Sequence, residues 1–491
     1  MFTQQNIKDI ILDFEDKYPV DTWVVNGVHV WPYVRIKIYI HALVLMNKNG
    51  LTQSEILPNN ESYNKQLLKK TSKVFLIFKA KIKLLLFFSN LKKKQIVFFG
   101  SHIHRVLYDD KYFNRFYDSM IDYHHLQNDV YMMEYQKIHD ATYNKKAVIP
   151  LKEYLGYHKL LSKIKNKFKK EINVLSLNSY DIFYKELGKY NFNLSALGVS
   201  EKEITDWTNR LNLTNDFFDK FYKKVNPSKV IFLGYYGLDD IYSALLVANK
   251  LNIDTIDFQH GPQTNVHLAF AFWTKLPNKG FNTMPKTFWN WDKESKESID
   301  EWANKTNTVK SKVVGQPYIA YWTSKLGKKE KREKQYIFYS LQTTPFNIED
   351  LLTPKIVKLI HQNKYHWILR LHPRNNLNLE ALDNFLGANN LKEKCTVQDA
   401  ISSPLPEVLN NSMAHITNYS GCLIEARLLN VPTILINVVG KEMFNQYIDD
   451  KLVFYLDQNN EEFVENVGRK LEAFSKLSFK TKKTNVFNPI E

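Results

Sequence analysis

The chain has 491 residues with a formal net charge of +16, and 44% of it is hydrophobic and 24% charged. Such a length implies two or three domains with ample core, and the basic excess suggests an anionic partner: nucleic acid, an acidic membrane face or a phosphorylated substrate. Two cysteines, Cys395 and Cys422, exclude a disulfide framework and fit a reducing cytosol.

The opening MFTQQNIKDIILDFEDKYP is an amphipathic helical pattern, with acids where a secretory signal needs a basic start and an apolar core. No secretory signal is expected from it. Next comes WVVNGVHVWPYVRIKIYIHALVLM, aromatic and β-branched but interrupted by Arg35, Lys37 and His41. Trp23 and Trp31 beside these cations suit either a bilayer interface or a packed aromatic extension. In the following stretch, the apolar run from Val74 to Phe88 is broken by Lys79, Lys81 and Lys83, which makes a poor bilayer span. A basic-flanked helix lying in the membrane plane fits residues 65–94, as does a linker helix whose lysines snorkel.

At Gln95 the pattern turns α/β. IVFFG (96–100) reads as the first strand of a doubly wound sheet, followed by a loop with His102, His104 and Arg105. Residues 106–228 read as largely helical, with a basic stretch at 163–170. KVIFLG (229–234), DTIDF (254–258), KTFWNWD (286–292) and KVVGQP (312–317) continue the alternation. The charged, apolar-poor run 325–335 is the best domain boundary. A second α/β pattern starts beyond it, with strands expected in YIFYSLQ (336–342), HWILRLHPR (366–374), CTVQDA (395–400), HIT (415–417), TILI (433–436) and VFYL (453–456). The predicted division is an extension over 1–92, an acceptor domain over 93–324 and a donor domain over 325–491.

Two α/β halves place strand ends on both sides of a cleft, and three constellations meet there. Gln259-His260-Gly261 ends a central strand, where His260 is placed to act as a general base. Arg370, His372, Pro373 and Arg374 follow another strand, and their donors can neutralise a departing phosphate. Asn418-Tyr419-Ser420-Gly421 turns into a helix, a phosphate-binding arrangement, with Glu425 placed to accept from a ribose diol. The plain alternative for that turn is a βαβ unit capped by Ser420. Asp239-Asp240 is the nearest approach to a metal-holding pair, and with so many cationic donors no metal is expected. Gln259, Gly261, His102 and Asp239 complete the expected cleft.

The order QHG…LRLHPR…TNYSGCLIEARLLNVP resembles GT-B glycosyltransferases of bacterial surface and capsular polysaccharide synthesis. It is similar in particular to the superfamily of CDP-glycerol glycerophosphotransferases and capsule sialyl- and Kdo-transferases. The resemblance covers roughly residues 229–440. It implies two Rossmann-like domains facing a cleft, here with a mainly helical N-terminal extension. It also implies His260 as base, the His372-Pro373 pair on nucleotide phosphates, and Ser420 with Glu425 on phosphate and ribose. The chain departs from the glycerophosphotransferase pattern at three positions: Asn418 stands for aspartate, Gly421 for a second serine and Pro262 for threonine.

The expected activity is inverting, metal-independent transfer from a nucleotide-sugar, with no other cofactor, to a glycan or lipid-linked acceptor at the inner face of the cell membrane. The rival readings are a CDP-polyol phosphotransferase, a sugar-nucleotide epimerase and a basic nucleic-acid-binding protein. The lysines concentrate in 65–94, 163–170 and 325–334 rather than interleaving with aromatics, which disfavours nucleic acid as a partner.

Overall fold

The computed structural model describes residues 4–46, 70–135, 138–166, 177–190, 192–326, 336–343, 346–373, 375–448 and 451–476. Most of the expected boundary run 325–335 (from 327 on), part of the basic stretch 163–170, and Arg374 lie outside them.

Seven parallel strands form the first sheet: β1 (Ile96–Gly100), β2 (Val130–Glu134), β3 (Val148–Pro150), β4 (Lys229–Phe232), β5 (Asp254–Phe258), β6 (Thr287–Asn290) and β7 (Lys310–Val313). Their order is β3-β2-β1-β4-β5-β6-β7. The second sheet has six: β8 (Tyr336–Ser340), β9 (His366–Arg370), β10 (Cys395–Gln398), β11 (Ser412–Thr417), β12 (Thr433–Leu435) and β13 (Val453–Tyr455). Its order is β10-β9-β8-β11-β12-β13. Each sheet therefore starts in the middle and winds outward both ways, leaving a crevice beyond the carboxyl ends where the direction reverses. This crevice lies beside β1 and β4 in the first sheet and beside β8 and β11 in the second.

Residues 106–228 are less uniformly helical than the sequence suggests. They hold β2 and β3, and Arg105–Tyr108 pairs antiparallel with Lys111–Asn114. VYMME and VIP are short runs that gain stability only from pairing with β1 and with each other, a tertiary effect that local pattern does not carry.

The N-terminal extension is not a separate layer. Helices α1 (Gln4–Lys17) and α2 (Trp31–Met46) join the same hydrophobic cluster as β1, β4 and the long helix Glu201–Val225. Trp23 and Trp31 have no exposed surface, and their indole N–H groups donate to the Asn178 carbonyl and Glu15 Oε1 at 2.9 Å each. The two tryptophans are therefore core residues rather than bilayer anchors. Helix α2 is apolar on nearly every side because it is enclosed on nearly every side. Its one buried cation, Arg35, pairs with Glu15 at 2.8 Å. Arg35 also donates to the carbonyls of Leu268, Ala271 and Phe272.

The halves share a core as well as a cleft. Phe98, Phe116, Trp291 and Val314 from the first cluster with Leu423, Ile424, Phe444 and Tyr447 from the second. Polar contacts accompany it: Arg427 Nη2 meets Glu294 Oε1 at 2.5 Å, and within the core the Tyr447 hydroxyl donates to Asp292 Oδ2 at 3.1 Å. Helix Pro317–Leu326 packs its Tyr318, Ile319, Tyr321 and Trp322 against Phe338, Leu405 and Leu409 of the second half.

Breaking a buried ion pair leaves the surviving charge without compensation, which costs about 3–5 kcal/mol. Arg35→Met is expected to lower the unfolding free energy by about that amount, and Glu15→Leu/Arg35→Met to recover only part of it, because the Trp31 and Thr274 donors and the 268–272 carbonyls also lose their partners. Urea denaturation of the three proteins checks this.

Candidate active site

The loop after β5 is held rigidly by its own glutamines. Gln259 is fully buried; its Nε2 donates to the Gly261 carbonyl (3.1 Å) and to Ser295 Oγ (3.0 Å). Its Oε1 accepts from the Trp291 backbone N–H at 2.7 Å. Gln263 Nε2 donates to Asp257 Oδ2 at 3.2 Å. Between these two anchors, His260 is pressed onto the β4 loop. At Gly234, where φ is +83°, a β-carbon would lie 3.1 Å from His260 Cε1. Only glycine satisfies both the backbone angle and the space.

His104 is the histidine brought beside His260, with ring centroids 5.7 Å apart and planes at 71°. The His104 ring keeps a buried Nδ1 with no hydrogen-bond partner, while the His260 ring is hydrogen-bonded to the Phe258 backbone. The expected neighbour, His102, instead turns toward His139, 6.5 Å away. A short 3-10 turn over 102–104 sends alternate histidines to opposite sides. Asp239 is likewise drawn elsewhere: its carboxylate pairs with Arg210 Nε at 2.7 Å. Burial, reinforced by the Arg115 charge, pushes the His260 pKa down to about 4, so the imidazole is neutral at pH 7.

From the other half, the β11 turn approaches the same loop. Thr417 Oγ1 accepts from the Ser420 N–H (3.1 Å), and Ser420 Oγ accepts from the Cys422 N–H (3.3 Å), capping the helix Cys422–Leu428. Asn418 donates to the Tyr339 hydroxyl at 3.2 Å. Its carbonyl oxygen is so close to Gly440 that a β-carbon there would lie 2.0 Å away. Across the cleft, a β-carbon on Gly421 would lie 3.0 Å from Pro262 Cδ. Two of the three departures from the family pattern are thus in contact with each other, with the Pro262 ring resting on the bare Gly421 backbone.

This contact stands between two cavities. One, of about 50 Å³, is lined by Arg115, Arg370, His372, Pro373, Ser420 and Cys422, among others. The second, of about 340 Å³, is bounded by His260, Gly261 and Pro262, by Tyr419 and Met443 of the second half, and by Tyr39 of α2. The first is cationic, the second mainly aromatic. A wider groove of about 860 Å³ includes Asn252 and Lys286, just ahead of β5 and β6, and so lies at the opposite end of the sheet.

In the cationic cavity Arg370 is already engaged. Its Nη1 donates to Gln398 Oε1 (2.6 Å) and its Nη2 to the carbonyls of Ala400 and Ser403 (2.9 and 2.8 Å). It therefore braces the 398–403 loop and contributes charge. Arg115, which the sequence did not single out, has a buried Nε without a partner. No motif marks it; it follows the 105–114 ribbon and its N–H donates to the His104 carbonyl at 3.0 Å. Glu425 is buried rather than lining either cavity, and its Oε1 accepts from Gln316 Nε2 at 2.9 Å. Burial raises its pKa, while the Arg115 charge and the Gln316 bond oppose that shift. The Cys422 thiol, pushed up to about 11 by burial, is no nucleophile at neutral pH. Among the described residues, no three His, Cys, Asp or Glu side chains are grouped as a metal site would require.

Two doubly wound parallel sheets meeting in a cleft, with the strand-end loops of both halves in contact, define a GT-B fold. No protein-family model and no curated relative matches the sequence. Solved structures similar to the chain include the UDP-GlcNAc 2-epimerase of Methanocaldococcus jannaschii, at 15% identity and a TM-score of 0.44, covering 80% of this chain and 95% of that one. The Neisseria meningitidis UDP-GlcNAc 2-epimerase bound to UDP-GlcNAc is similar at 12% identity and a TM-score of 0.45, covering 81% and 96%. The wall teichoic acid polymerase TagF is similar at 12% identity and a TM-score of 0.39, covering 86% and 95%.

Behind the β11 turn, His415 is fully buried between Ser340 Oγ (2.8 Å) and Thr433 Oγ1 (3.2 Å), and burial lowers its pKa to about 3. A folded pKa below the unfolded value of about 6.5 means the unfolded chain takes up the proton first, so this contribution to stability is lost as pH falls below about 6.5. The stability advantage of the parent over His415→Gln should shrink by about 1.4 kcal/mol per pH unit between pH 6 and 4. Paired denaturation curves across that range measure it.

Proposed function

We propose that the chain is an inverting glycosyltransferase that moves a sugar from a nucleotide-sugar donor to a hydroxyl of a surface-polysaccharide acceptor. The observation that carries this reading is the pair of cavities on either side of the Pro262–Gly421 contact. A cationic cavity suits the diphosphate of a donor, and an aromatic cavity suits the ring faces of a sugar acceptor.

In this scheme the acceptor enters the aromatic cavity with its hydroxyl against His260. His260 takes the hydroxyl proton as the acceptor oxygen bonds to the anomeric carbon, and the bond from that carbon to the nucleotide oxygen breaks. The departing nucleotide keeps the bonding electrons, and attack from the opposite side inverts the anomeric centre. Arg115, His372 and the Ser420 turn meet the developing phosphate charge, with Arg370 adding its field. The bound diphosphate also offsets the Arg115 charge that helps depress the His260 pKa, and so moves the base toward its working range. The mechanism invokes no cofactor beyond the donor.

The cationic cavity, at about 50 Å³, is too small for a nucleoside. Donor binding therefore requires the Pro262–Gly421 contact to part. Glu425, released from Gln316 by the same movement, then becomes available to a ribose diol.

A thermal-shift panel of CMP, CDP, UDP, GDP and ADP tests the donor site. A ligand at about a hundred times its Kd adds roughly 2.7 kcal/mol to stability. One nucleotide should raise the melting temperature of the parent and of His260→Ala, but not of Arg115→Ala. With that nucleotide's sugar and a glycan acceptor, His260→Ala should lose about 10²–10⁴-fold in kcat. Sugar epimerised without any acceptor would sink the transferase reading.

A further inference from the structure

Helix α3 (Lys70–Asn90) carries two apolar faces, and only one has a partner. Its inward face packs Ala80, Leu84, Phe87 and, just past the helix end, Leu91, all buried. Phe87 stacks on Tyr154 of the helix Leu151–Asn166 at 4.0 Å, and on Phe217 at 5.8 Å. The outward face carries Phe75 (67% exposed), Phe78 (61%), Ile82 (40%), Leu85 (71%) and Leu86 (51%). At 3.6 residues per turn these five side chains fall within an arc of about 100°. Fourteen large apolar side chains are exposed among the described residues, and these five form a single stripe along one helix.

The margins of the stripe are basic. Lys79 and Lys83 border one edge and Lys81 the other, all exposed. Residues 62–94 contain ten lysines and no acidic residue. A second copy of this face would bring like-charged margins together, which disfavours a two-fold contact. No helix among the described residues is long and apolar enough to cross a membrane, and the lysines on α3 argue against burying it in one.

We propose that this outward face of α3 docks the protein on an anionic lipid bilayer, with the helix lying flat in the headgroup region. The apolar stripe enters the acyl boundary while Lys79, Lys81 and Lys83 reach the phosphates beside it. The inward face, clamped by Phe87, ties the bilayer to the first sheet. The binding is independent of the transferase chemistry and survives its failure, since none of these residues lines either cavity of the cleft.

The test is co-sedimentation of the full chain with phosphatidylcholine vesicles, with and without phosphatidylglycerol, at low and high salt. The parent should bind the phosphatidylglycerol vesicles, more weakly as salt rises. Phe78→Ser/Leu85→Ser and Lys79→Glu/Lys83→Glu should each weaken that binding about tenfold or more, with unchanged melting temperatures. Failure of the parent to bind anionic vesicles, or equal binding by both variants, overturns the proposal. So does a melting temperature lowered by several degrees in Phe78→Ser/Leu85→Ser, which would mean the chain itself covers the stripe. A dimer of the parent that this variant dissolves, with no vesicle binding, would assign the face to a second copy instead.

Discussion

At the cleft the two halves meet where the Pro262 ring lies against the backbone of Gly421. Each residue is presented by a rigid loop: one tied down by Gln259 and Gln263, the other by Thr417, Ser420 and Asn418. Because neither loop can yield locally without giving up buried hydrogen bonds, separating them means moving one half relative to the other. The apolar interface behind them, with its Arg427–Glu294 and Tyr447–Asp292 contacts, resists that motion. A small contact between two loops thus reports on the position of two whole domains.

The histidine chemistry follows from the same packing. Gly234 lets the His260 ring reach the floor of the cleft, and His104 closes over it edge to face. Burial keeps both imidazoles neutral, since a charge on either ring would lose its hydration in this space. Arg115 supplies the cleft's positive charge from just outside that space, where its charge is felt without being enclosed by the rings.

Much of this architecture was readable in the residues. The strands from β4 onward stood out because each is a β-branched or aromatic run ended by a polar turn, and His260, His372 and Ser420 drew notice as candidates because they follow such runs. β2 and β3 were missed because three or five residues of ordinary composition become strands only through pairing, β2 with β1 and β3 with β2. The choice between His102 and His104 turns on a single 3-10 turn that no periodicity reveals. Arg115 and Gln316 belong to no motif; they matter because folding carries them to groups more than a hundred positions away. Arg370 shows the opposite limit, since its sequence context suggested a ligand while its Nη donors are taken by the 398–403 loop.

The buried Glu15 and Arg35 pair bears on how the chain is made. Glu15 accepts from the backbone N–H of Thr274 at 2.8 Å and from its hydroxyl, and Arg35 caps the carbonyls of 268–272. During synthesis, the first helices leave the ribosome long before those partners exist. The two charges must then wait in water while more than two hundred further residues are added, so the N-terminal helices cannot settle early as an independent unit. Completing the first half therefore waits on contacts between distant parts of the chain, which slows folding and leaves apolar surface uncovered in the meantime.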